Sequence, residues 1–89
     1  MFRMWCKIFS DNHLLTDTVI IDDSADKTRT KKVLDGVGEA CRQFDLPHPI
    51  WLDKTINEFK NHDKARFYQD NFVEEIAFDY LEIHVIEED

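Results

Sequence analysis

The densest run of side chains able to act on a ligand is His62-Asp63-Lys64-Ala65-Arg66. An imidazole can pass a proton near neutral pH, and an ammonium close to a guanidinium can hold an anion between them. His62, Lys64 and Arg66 are therefore the candidate anion-binding cluster, and the basis for reading the chain as a small enzyme. The same run also reads as a polar helix end whose cations meet exposed carbonyls. No nucleophile or oxyanion arrangement accompanies it, so no catalytic residue is assigned. Cys6 and Cys41 are the only thiols. Cys6 alternates with Met4 and Ile8, and Cys41 falls inside a helical apolar stripe, so both read as small core residues. His13, His48, His62 and His84 lack the i, i+4 spacing of a zinc-binding helix, and nothing in the residue order calls for a metal or a cofactor.

Charge narrows the partners. Eleven basic residues against nineteen acidic give a net charge of −8, which repels phosphate backbones and anionic membranes, so direct nucleic-acid or membrane binding is not expected. An acidic surface that mimics nucleic acid toward a basic partner is the converse reading. The charges are also unevenly placed. Lys27, Arg29, Lys31 and Lys32 crowd the start of a long predicted helix, the end that a helix dipole does not favour for cations. Asp70 to Asp89 carries eight acidic residues and no Lys or Arg.

The elements that must position these groups come from pattern. Eighty-nine residues suffice for a single domain, residues 1–89, and the apolar fraction of 43% with 12% aromatic supports a packed core. Met4 to Phe9 and Leu14 to Ile21 read as strands around the turn residues Ser10 to His13, an antiparallel hairpin. Ser24 and Asp26 are N-cap candidates for a helix from about Thr28 to Phe44. Its Val33, Leu34, Val37, Ala40, Cys41 and Phe44 share an arc of roughly 120°. Pro47 and Pro49 end it. Thr55 and Glu58 fit the capping box of a shorter helix. Ala65 to Ala77 is left open between strand, helical turn and loop. Leu81, Ile83 and Val85 then mark a closing strand. The fold class is α+β: a two-layer sandwich in which two helices cover one face of an antiparallel or mixed sheet of three or more strands, in the order β-β-α-α-β.

Two short helices cover one sheet face only. If Met4, Cys6 and Ile8 point at the helices, Trp5 and Phe9 point away, as do Phe78, Tyr80 and Ile86 with Glu82 and His84. Trp5, Phe9, Phe78, Tyr80 and Ile86 are therefore the candidate interface, an aromatic surface mixed with charge. A loop such as Ala65 to Ala77 folding over that face is the competing possibility.

The run Arg66-Phe67, Gln69-Asp70-Asn71-Phe72 and Phe78-Asp79-Tyr80-Leu81-Glu82-Ile83-His84-Val85-Ile86-Glu87-Glu88-Asp89 resembles the closing segment of small uncharacterised Firmicutes proteins. Trp5-Cys6-Lys7-Ile8 and Pro49-Ile50-Trp51-Leu52 add to the likeness. It implies a bacterial protein and carries over no activity.

Lys7 and Asp11 interrupt the N-terminal apolar stretch, no run reaches membrane-spanning length, and two distant cysteines are no disulfide framework. A cytoplasmic location is expected. The sequence therefore points to a non-catalytic protein-interaction module, a homodimer or adaptor. The alternatives are an enzyme or anion binder built on His62, Lys64 and Arg66, and the acidic mimic.

Overall fold

A computed structural model describes residues 1–88; Asp89, the last of the acidic run, lies outside the described residues. Strand β1 (Phe2–Ser10) turns into β2 (His13–Asp22) through Asp11 and Asn12, both at positive φ. Asx residues tolerate that conformation, which matches the twist of a tight hairpin. Helices α1 (Arg29–Phe44) and α2 (Asp53–His62) follow, then the short strand β3 (Lys64–Phe67), a 3-10 turn (Gln69–Asn71) and the final strand β4 (Tyr80–Glu87). The sheet order is β2-β1-β4-β3, and every pair is antiparallel. The chain is thus α+β in the order expected, with β3 as a fourth strand drawn from the segment left open.

One row of side chains makes the core. Phe2, Met4, Cys6 and Ile8 on β1 meet Leu81, Ile83 and Val85 on β4 and Ala65 and Phe67 on β3, beneath Val33, Val37, Ala40 and Cys41 of α1 and Phe59 of α2. Gly36 permits the closest helix–sheet approach, since a Cβ there would stand 2.7 Å from the Met4 methyl.

Three sequence expectations need correction. The N-cap of α1 is Thr28, whose side chain accepts from the Lys31 amide, rather than Ser24 or Asp26. Thr55 and Glu58 form no capping box, because α2 begins earlier, at Asp53. The Thr55 hydroxyl instead accepts from Asn71 Nδ2, and Glu58 Oε1 accepts from the Arg66 amide. Leu34, placed in the core stripe, is 47% exposed. It lies at the α2-facing margin of the stripe, and the two helices flank a cleft there instead of closing on each other.

Val37 is buried against the sheet, so Val37→Asp should cost about 4 kcal/mol or more by burying an unpaired carboxylate. Lys31→Asp loses only an exposed pair with Asp35 and gains a favourable charge in the first helical turn, so it should stay within about 0.5 kcal/mol of wild type. Chemical denaturation of the two variants checks the contrast.

Candidate functional site

The sheet face away from the helices is open. Trp5 lies opposite Val19 on β2 and His84 on β4, Lys7 lies opposite Asp17 and Glu82, and Phe9 lies opposite Leu14 and Tyr80. Antiparallel register puts each cross-strand set on one face, the face opposite Met4, Cys6 and Ile8. Its aromatic side chains support one another. Phe9 stacks on Tyr80 at 5.2 Å between ring centroids, and Tyr68 leans on Tyr80 at 5.5 Å. The Trp5 indole N–H donates to Asp17 Oδ2 at 2.8 Å, and the Lys7 ammonium sits 3.9 Å from the centre of the Trp5 ring. Around them Ile21, Ile86 and Val19 are 56%, 44% and 41% exposed.

An ionic centre lies among these rings. Glu82 is buried although it faces outward, because Lys7 Nζ lies 3.1 Å from one carboxylate oxygen and Arg66 Nε 3.3 Å from the other. Burial pushes the Glu82 carboxyl up, but hydrogen bonding and charge from Lys7, then from Arg66, outweigh it and leave it below its ordinary value. Arg66 also lies 4.6 Å from the Tyr80 ring centre, and hydrogen bonding to the Tyr68 side chain is the largest influence raising its guanidinium above the ordinary value.

Of the five expected interface residues, Trp5, Phe9 and Tyr80 lie on β1 and β4 in outward register positions, and Ile86, exposed, sits where the β1–β4 register shifts. Phe78 does not join them. Asp79 anchors the entry to β4, its amide donating to the Phe9 carbonyl and its carboxylate accepting from the Asp11 amide. Phe78 therefore precedes the strand and its alternation, and it turns edge-on to buried Phe72 at 6.0 Å. The segment from Ala65 covers only one margin of the face, with Arg66 and Tyr68 on Tyr80; it adds β3 to the sheet edge and then turns toward the helix layer.

His62, Lys64 and Arg66 do line one shallow cleft of about 270 Å³, but Glu58 and Glu82 line it with them. With the Arg66 guanidinium on Glu82 and its amide on Glu58, an incoming anion would meet two carboxylates and a cation already in use. Among the described residues no group of three or more His, Cys, Asp or Glu side chains is placed to hold a metal ion. Cys6 and Cys41 are free and buried, and burial pushes their thiols up to about 12 and about 11. The Lys7–Glu82–Arg66 centre was not foreseen. Its signal was a Glu within the alternation of β4, which becomes informative only once register sets Lys7 and Arg66 beside it. No protein family, no curated protein and no solved structure is matched by this chain.

Two expectations follow. Native Cys6 and Cys41 should label slowly with a thiol reagent even at pH 9 and rapidly in denaturant, because little thiolate forms while they are buried. Fast native labelling of either would contradict the core placement. Glu82→Gln should cost about 1–2 kcal/mol at pH 7 by weakening hydrogen bonds to two cations. A carboxyl with a depressed folded pKa stabilises above its unfolded value, near 4.3, and that stabilisation is lost as pH falls through the folded value. The gap between wild type and Glu82→Gln in urea titrations should therefore narrow on acidification below about pH 4.

Proposed function

We propose that this chain is a non-catalytic, cytoplasmic interaction module that pairs with a second copy of itself through the open sheet face. The observation that carries the reading is the bare face itself: Ile21, Val19 and Ile86 exposed around Trp5, Phe9 and Tyr80, while both helices pack on the opposite side. Folded monomers rarely gather so many aromatic and aliphatic side chains on one open face in water. A second copy suits the face because its charges are matched internally: Lys7 and Arg66 against Glu82 and the neighbouring Asp17, and Arg3 on Glu87. An occupant need bring no counter-charge, and a two-fold axis would set identical neutralised surfaces together. Strand spacing and rise make the face roughly 20 by 25 Å, a small interface by the standards of stable dimers, so association in the micromolar range is expected. Free buried thiols at Cys6 and Cys41 suit a reducing compartment.

Light scattering coupled to size-exclusion chromatography at high micromolar concentration should report twice the chain mass. Ile21→Glu and Tyr80→Glu should both shift the population to monomer with the circular dichroism spectrum retained. A wild-type monomer at that concentration, or a dimer indifferent to both substitutions, would refute pairing through this face.

A further inference from the structure

On the other side of the molecule, in the helix layer, α1 and α2 stand apart over an open cleft of about 390 Å³. Its walls are Val33 and Leu34 of α1, Ile56 and Phe59 of α2, and Trp51 from the segment between the helices, with Arg29, Thr30 and Lys60 completing the lining. Trp51 is fixed edge-on to Phe59 and Phe67 at 5.9 and 5.0 Å, so the floor is rigid and aromatic. Leu34 is nearly half exposed on one wall. The volume lies in the range of small-molecule sites, which are mostly apolar with a few placed polar groups. At about 30 Å³ for each water-sized group it admits roughly a dozen heavy atoms.

The charge of the lining selects the ligand. The chain carries nineteen carboxylate residues, yet no Asp or Glu lines this cleft, while Arg29 and Lys60 do. Arg29 is engaged by Asp63 and Glu88 at 2.6 Å each and lies 5.0 Å from the Phe59 ring centre, so it is held in place as part of the wall. Lys60 is exposed and, among the described residues, pairs with no carboxylate. We infer that the cleft between α1 and α2 binds a small amphiphilic carboxylate, its apolar body between Leu34, Ile56 and Trp51 and its anionic head at Lys60. Hydrophobic burial supplies the affinity, and the lysine sets the sign of the charge accepted. The site is separate from the sheet face used for self-association.

Decanoate, decanol and decyltrimethylammonium test this on the full chain. In a Trp5→Phe background Trp51 is the only tryptophan, and its emission should change saturably with decanoate at one per chain. Decanoate should bind three- to fivefold more tightly than decanol, the scale of one exposed charge contact, and decyltrimethylammonium more weakly than either. Lys60→Glu should remove the preference for decanoate over the cation, and Leu34→Glu should abolish the response to all three with thermal unfolding of the free protein unchanged. A non-saturable response, equal affinity for the three probes, indifference to Lys60→Glu, or loss of binding in Ile21→Glu instead of Leu34→Glu would each overturn the assignment.

Discussion

Asn71 is fully buried, and every polar atom of its side chain is used. Its amide nitrogen donates to the Ile50 carbonyl and the Thr55 hydroxyl, and its oxygen accepts from the Tyr68 amide, all within 3.0 Å. Its carbonyl accepts in turn from the Ile50 amide. One side chain thus ties the turn after β3 to the connector between the helices and to the first turn of α2. A buried amide so satisfied tolerates little displacement, since losing one partner leaves a polar group in the core. The rest of the architecture follows from that fixation. β3 is delivered to the edge of β4, Phe72 is carried into the core, and the chain after Tyr68 is held on the helix side.

The two faces of the sheet then divide the work. The inner face is apolar and lies beneath α1 and α2, while the outer face leaves its aromatic rings half-buried and places a carboxylate between two cations at its centre. The basic cluster at the start of α1 receives a structural explanation of the same kind. Lys27 reaches Asp22 at the end of β2 as well as Asp35, and Arg29 reaches Asp63 beyond α2 and Glu88 beyond β4. These cations sit at the disfavoured end of their helix because they join it to three other parts of the chain. The acidic excess of the C-terminal run is in part their counter-charge.

How far the sequence could be read depends on the range of the interaction concerned. The hairpin, α1 and β4 were legible because alternation, Asx turn residues and a helical stripe are local signals. Strand β3 was legible only as one option for its segment, and the role of Asn71 not at all, since the Asn's partners at Ile50, Thr55 and Tyr68 are set by tertiary contact. For the same reason Thr55 and Glu58, which match a capping motif by spacing, are used elsewhere. The convergence of His62, Lys64 and Arg66 was readable from their proximity, whereas the carboxylates that share their cleft were not. Phe78 shows the cost of extending alternation one turn too far: Asp79 sets the strand's first residue, and the ring before it obeys the core.

The position of β1 has a consequence for how the molecule is made. It is an interior strand with β2 on one side and β4 on the other, yet one neighbour follows it directly and the other comes only after both helices and β3. The hairpin can close in microseconds by itself. During synthesis, however, its second edge must wait for both helices and β3 before β4 arrives. A nascent chain of this protein therefore carries an unpaired strand edge until β4 has emerged, which is a feature that holding chaperones protect.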